Sequence, residues 1–248
     1  MFNYYDIPSL VLTALAVLIT LTLHEYAHGY AAYRLGDGTA KAFGRLTLNP
    51  IKHLDPIGAL FLLFFHFGWA KPVPINPRNF KNPKRDFALS ALAGPLFNII
   101  MAFISAFFYL LSYKLLAGVA FSSAPFLSSL ALNSISFVGI FHSVNLGLGL
   151  FNLIPIPPLD GSRILTAILP PRIYFGIMKY ERKIYLGLLV WMLLGGYVKS
   201  FLLSFAFIAA NPVLSAIANI FSLSGMISSL MSGISSLMLD FWQLIPIF

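Results

Sequence analysis

The sequence predicts an all-α polytopic membrane protein: a three-helix core plus C-terminal helices, with a small membrane-associated β-hairpin or sheet and a re-entrant segment between the first two spans. Three observations predict it. Of 248 residues, 58% are hydrophobic and only 10% are charged, against about 25% charged in a soluble domain. Mean hydropathy is +0.84. Tracts long enough to cross a ~30 Å hydrocarbon core, which takes ~20 apolar residues, recur along the chain. The absence of cysteine excludes disulfide frameworks, thiolate metal sites and thiol nucleophiles, so any metal must be held by His, Asp or Glu. The 16 Lys and Arg exceed the 8 Asp and Glu, for a net charge of +8. In so apolar a chain that excess reads as basic cytoplasmic loops and not as a nucleic-acid surface.

The first span runs from Ile7 to about Tyr33. It is no cleavable signal peptide, because it lacks a basic n-region and carries an ionisable cluster in its final turns. After it, Thr39 to Leu48 has strand-like character. Lys71 to Pro77 carries Pro72, Pro74 and Pro77, which suits an edge strand. Between them the apolar run Ile57 to Trp69 is too short to cross and reads as re-entrant or interfacial. Phe87 to Tyr113, without a charge, is the second span. The third follows a turn at Ala124-Pro125 and covers roughly Leu130 to Ile154. A fourth begins at Ile184 and passes Lys199, which can snorkel to an interface.

From Ile227 the residues Leu230, Met231, Ile234, Leu237, Met238 and Phe241 recur at helical spacing, opposite Ser228, Ser232, Ser235 and Ser236. This is either a further membrane helix packed through Ser and Gly233, or a helix on the outer surface with Trp242 at the interface. With no repeat and no low-complexity linker, residues 1–248 read as one membrane-embedded domain. Its core covers about 7–185 and its C-terminal helical extension about 186–248.

Nine basic residues, from Arg34 to Arg85, lie between the first two spans. Five more (Arg163, Arg172, Lys179, Arg182 and Lys183) lie between the third and fourth, whereas the intervening loop has only Lys114. The positive-inside rule therefore puts the first and third loops in the cytoplasm.

Near the end of the first span stands His24-Glu25-Tyr26-Ala27-His28. On a helix the two histidines share a face one turn apart, so both can reach one metal. Glu25 then lies close enough to take a proton from a water activated there. Three ionisable groups at this depth are expensive and default to a functional reading. A tetrahedral zinc would need a third protein ligand. Glu181, the only other glutamate, sits in a Tyr-Glu-Arg-Lys stretch suited to a solvated ion pair, and Asp37 in a Gly-Asp-Gly turn. Asp160 ends the third span in Asn152-Leu-Ile-Pro-Ile-Pro-Pro-Leu-Asp160-Gly161, where prolines break the helix at membrane depth. It emerges on the same face as His24 and His28. On the third span His142, Asn145, Gly149 and Asn152 form one polar and small face. His142 is too far from Asp160 to share its metal. On the second span Gly94, Asn98, Ala102 and Ala106 form a close-packing face, from which Asn98 can turn towards the site.

Taken together, His24-Glu25-x-x-His28, Gly94-Pro-Leu-Phe-Asn98 and Asn152-x-x-Pro-x-Pro-Pro-Leu-Asp160-Gly161 resemble the site-2 protease family of intramembrane zinc metalloproteases. Residues 44–58 and 67–77 look like its compact bacterial branch, and no insert large enough to be a PDZ or CBS domain interrupts the chain. The resemblance implies one Zn2+ held by His24, His28 and Asp160, with Glu25 as catalytic base. It implies that Asn152, with Asn98 as a further candidate, helps hold the substrate backbone. The implied substrates are membrane-anchored proteins with a transmembrane helix, cut in regulated intramembrane proteolysis or signal-peptide clearance. The implied setting is the lipid bilayer of a bacterial cell, with the active site towards the cytoplasm and no nucleic-acid partner. A helical substrate must be locally extended before attack, and the expected sheet beside the zinc would pair with it by strand addition. A proteolytically silent membrane-binding or chaperone protein that keeps the fold is the alternative, and it would be free to lose a ligand or the base.

Overall fold

The computed structural model describes residues 7–58, 60, 69–121, 124–205, 211–215 and 222–246. Three helices are long and apolar enough to cross a membrane: α1 (Ile7–Arg34), α3 (Pro83–Ala120) and α4 (Pro125–Leu153). Proline opens both α3 and α4, at the position where its missing N–H would have had no helical partner anyway. That is why α4 begins at Pro125 and not at the expected Leu130. The three helices pack on one another through small side chains: Ala16, Ala91, Ala102 and Ala106 are buried in the contacts. Small residues bring backbones close enough for dispersion forces to hold helices together where lipid removes the hydrophobic drive.

The third span ends where predicted. Pro155, Pro157 and Pro158 stop α4 at Leu153, and the chain restarts as α5 (Asp160–Ile168), followed by α6 (Pro171–Met178). Helix α7 (Glu181–Leu203) is bent by 43° between Met192 and Leu194, and is a fourth candidate span if its halves count as one. Helix α8 (Leu223–Gln243) runs antiparallel to α4. Met231 lies against Gly147, the Ser235 hydroxyl donates to His142 Nε2 at 2.8 Å, and Trp242 Nε1 donates to the Phe103 carbonyl of α3 at 2.8 Å. Gly233, expected at a packing face, has nothing within reach of an added Cβ.

The link between α1 and α3 corrects the expected β-hairpin. Among the described residues there is no strand, only an isolated antiparallel bridge between Leu54 and Ala70, beside which Lys71 N–H donates to the His53 carbonyl at 2.8 Å. Thr39–Ala42 is instead the short helix α2; the Asp37 carboxylate just before it accepts from both the Thr39 amide and hydroxyl, a local side-chain turn that competes with an extended strand. Gly44, at φ 63°, then reverses the chain inside the segment expected to be extended. Residues 71–76 are irregular, since Pro72 and Pro74 remove the amides that a ladder needs. The expected re-entrant run lies outside the described residues except for Ile57, Gly58, Leu60 and Trp69.

Asp37 ties this link together. It is fully buried, and besides Thr39 it accepts from the Asn76 amide and the Asn79 carboxamide, each at 2.7 Å, joining the end of α1 to the approach to α3. Burial pushes its carboxyl up, but the hydrogen bonds from Thr39, Asn79 and Asn76 outweigh burial and hold it below the ordinary carboxylate range. Asp37→Asn turns one of these acceptors into a donor facing donors. It is expected to cost about 1.5–3 kcal/mol at pH 7, read as a lower thermal unfolding midpoint in detergent. Because the folded value is depressed, this stabilisation is present above the ordinary value of 3.8 and is lost as pH falls through the folded value. The gap between wild type and Asp37→Asn should therefore narrow below pH 3.8.

Candidate metal centre

His24 and His28 project from one side of α1, a turn apart, and both are buried. Asp160 reaches them as the first residue of α5. His24 Nε2 lies 3.0 Å from His28 Nε2, and the two nitrogens lie 3.1 and 3.0 Å from Asp160 Oδ2. What these atoms are chemically follows from the far side of each ring. His28 Nδ1 is 2.7 Å from the Ser90 carbonyl, which only accepts, so that nitrogen carries the proton. His24 Nδ1 is 2.6 Å from Asn98 Oδ1 and likewise donates. With the rings neutral, each Nε2 presents a lone pair to the other and to a carboxylate oxygen.

Three acceptors facing one another without a donor repel, and a cation at their centre reverses the sign. A tetrahedral zinc with bonds of ~2.0–2.1 Å sets its donors about 3.3 Å apart, close to the 3.0–3.1 Å found here. Two imidazoles and one carboxylate leave one of four positions to a reactant, the pattern of catalytic and not structural zinc. Among the described residues this is the one group with metal-ligand geometry. Asp55 and Asp86 have local partners of their own, and Glu181 stands at a helix start, that of α7. Asp55 accepts from the Ile57 and Gly58 amides, and Asp86 from the Asn82 amide and Arg85.

Two glycines make the approach possible. A Cβ on Gly94 would stand 2.4 Å from His28 Nε2 and 2.8 Å from His24 Cε1, so α3 can lie against the histidines only with glycine there. A Cβ on Gly161 would meet the Leu153 and Ile154 carbonyls at 2.4 Å, so the turn bearing Asp160 can tuck under the end of α4 only with glycine. Leu159 anchors that turn in an apolar cluster with Leu188 of α7 and Leu223 of α8. Glu25, partly buried on the same turn as the histidines, accepts from the Val73 amide at 2.7 Å through Oε2.

The other expected residues are placed differently. Asn98 does turn towards the site, but it is fully buried and spends its oxygen on His24 and its amide on Asn145. In this structure it contacts a histidine of the group. Asn152 stays outside the group and donates to the Leu148 carbonyl of its own helix at 3.1 Å. His142 is remote from the centre, as expected, and donates through Nδ1 to the Ala102 carbonyl at 2.8 Å. Sequence reasoning missed Val73, whose contact is through the backbone and leaves no side-chain signal. Gly94, expected on a close-packing face, does pack closely, and what it packs against is the pair of histidines.

Apolar helices of membrane-spanning length around a buried two-histidine, one-aspartate centre define a membrane-embedded metalloenzyme. The profile of peptidase family M50 matches residues 12–195, and the chain belongs to that family. Over 199 residues it is 40% identical to YwhC of Bacillus subtilis, provisionally named a zinc metalloprotease, covering 79% of this chain and 88% of that one. It is 30% identical to Rip2 of Mycolicibacterium smegmatis, likewise provisionally named, covering 62% and 56%. Zinc metalloprotease MJ0392 of Methanocaldococcus jannaschii is 28% identical, covering 66% and 35%. No solved structure matches the chain at a comparable level. Family and donor set together make this chain a zinc-dependent metallopeptidase.

Three variants test the centre. Gly94→Ala should lower zinc retention by at least about tenfold while leaving helical content intact, since the added methyl displaces ligand atoms by more than half an ångström. Asp160→Ala should lose zinc on dialysis and Glu181→Ala should keep it, both read by elemental analysis. The reverse pattern would move the site to the glutamate.

Proposed function

We propose that the chain is an intramembrane endopeptidase that hydrolyses a peptide bond within or near the transmembrane segment of a membrane-anchored protein, with His24, His28 and Asp160 as zinc ligands and Glu25 as general base. The observation that carries the reading is the meeting of three buried ligand atoms inside helices that can cross a bilayer. A soluble peptide would have no reason to reach a centre so enclosed, whereas a transmembrane substrate already lies among lipid-facing helices. His24 lies 17 residues into α1, about 25 Å along its axis. Given the basic loops, that depth supports an active site towards the cytoplasmic side.

Zinc held by these ligands would lower the pKa of a water towards 7 and polarise a carbonyl. The remaining steps belong to side chains. Glu25 projects from the turn between the two histidines, and its Oε2 is held by the Val73 amide. Its other carboxylate oxygen is the one suited to accept the proton of the attacking water and return it to the leaving amine. Asn152 stands at the end of α4, one turn before the prolines. Its carboxamide oxygen is our candidate for holding the amides of an extended substrate. Substrates of this class include anchored regulators released by regulated intramembrane proteolysis and leftover signal peptides. We further take residues 1–248 as a single domain whose core, about 7–185, carries the chemistry, with 186–248 supporting it.

The test is zinc content together with cleavage of a transmembrane reporter by purified protein in detergent or vesicles. Glu25→Gln should keep its zinc and lose at least about a hundredfold in cleavage rate, within the usual range for a general base. Equal cleavage by wild type and Glu25→Gln would sink the proteolytic reading.

A further inference from the structure

Behind His24 a chain of buried carboxamides runs through all three long helices. Asn145 of α4 donates through Nδ2 to the Phe141 carbonyl and to Thr20 Oγ1 of α1, both at 2.9 Å. Asn98 of α3 donates through Nδ2 to Asn145 Oδ1 at 2.9 Å, and Asn98 Oδ1 faces His24 Nδ1 at 2.6 Å. Thr20, Asn98 and Asn145 are fully buried, and no solvent competes for these bonds.

A carboxamide can point either way round, so each link taken singly could carry its hydrogen bond in either direction. One end of the chain cannot. The Phe141 carbonyl has no hydrogen to give, so the group of Asn145 that faces it is the amide. Asn145 Oδ1 is then left facing Asn98 and requires a donor, which must be the Asn98 amide. That turns Asn98 Oδ1 towards His24, and an oxygen there requires a proton on Nδ1. A neutral ring protonated at Nδ1 has its lone pair on Nε2, the atom that faces His28 and Asp160. A reversed chain would place the proton on Nε2, inside the metal centre, where it would exclude the ion.

We propose that Asn145, acting through Asn98, sets the tautomer of His24, so that a main-chain carbonyl in α4 dictates which nitrogen of an α1 histidine is open to metal. Both asparagines are positioning residues: in this proposal they act through His24 and not on the metal directly. Thr20 is a branch and not a link, because its hydroxyl both accepts and donates and the direction is already set at Phe141. The inference deepens the metalloprotease reading and takes His24 as a ligand from it.

The experiment uses the full chain in detergent, with zinc affinity measured by competition against a chelating dye. Asn145→Leu keeps the volume and removes the direction, and it should weaken zinc binding by about 10- to 100-fold, as loss of a ligand's hydrogen-bonding support does. Thr20→Val should leave affinity unchanged. Asn145→Asp should restore it, because a buried neutral carboxyl offers the same acceptor to Asn98 and the same donor to Phe141. A packing role would instead make Thr20→Val and Asn145→Leu alike and would not be rescued by Asn145→Asp. The second readout is the 15N resonance of His24 Nδ1 in histidine-labelled, metal-free wild type, assigned by its loss in His24→Gln. A protonated Nδ1 is expected. An unprotonated Nδ1, or wild-type zinc affinity in Asn145→Leu, would overturn the proposal. That resonance needs neither zinc nor cleavage, so a wild type that bound no zinc would remove the protease reading and leave the carboxamide chain to be judged separately.

Discussion

Two imidazole nitrogens and one carboxylate oxygen, each presenting a lone pair, meet about 3 Å apart inside a bundle of apolar helices. Left alone, that meeting is unfavourable twice over. Each polar group has given up water, and like partial charges face one another. The surrounding structure is the set of devices that hold it in place. The Ser90 carbonyl and Asn98 occupy the outer nitrogens of the rings, so neither ring can turn away or shift its proton inward without losing a buried hydrogen bond. Gly94 removes the side chain that would keep α3 off the histidines, and Gly161 does the same for the turn bearing Asp160. A zinc ion at the centre of the three acceptors would offset both costs.

How much of this was legible beforehand depended on how local the determinant is. The spacing of His24 and His28 is a property of a single helix, and the sequence alone was enough to pair them. Asp160 was legible for a different reason: with only eight acids the candidates could be weighed singly, and the prolines marked the one at membrane depth. Asn98 was legible as a residue near the site, but its partner was not. Whether a carboxamide turns to a substrate or to a histidine depends on tertiary neighbours, here Asn145 and beyond it a carbonyl with no side-chain signature. The expected hairpin over Thr39 to Leu48 gives way to a local turn at Asp37 that strand propensity does not report. Asp37 supplies acceptors to the Thr39 amide and hydroxyl, and such local side-chain bonds compete with the ladder a strand would need.

The polar stripe on α4 divides in the same way. His142, Asn145 and Asn152 share a face but serve three purposes: His142 bridges α3 and α8, Asn145 stands behind His24, and Asn152 turns back on its own helix. Periodicity identifies such a face and says nothing of what each level meets. The C-terminal helices meet the core at two levels, through Ser235 and Trp242 along α3 and α4, and through Leu188 and Leu223 around Leu159. The second contact adjoins a metal-ligand candidate, so α7 and α8 bear on where Asp160 can sit without contributing any polar atom to the centre.

The segment from Lys71 to Pro74 bears on the base in an analogous way. Pro72 and Pro74 have no N–H, so Val73 owns the one amide in the triplet, and that amide goes to Glu25. The Lys71 amide goes to His53, and the Lys71 carbonyl accepts from Arg45 at 2.6 Å. A stretch whose few donors are all spent cannot act as the donor edge of a sheet, whatever its extended shape. Its prolines instead keep the Val73 amide from any competing ladder, leaving it free to orient a carboxylate. The residues that looked like an edge strand in the sequence are, in the fold, a device for presenting a single N–H to Glu25.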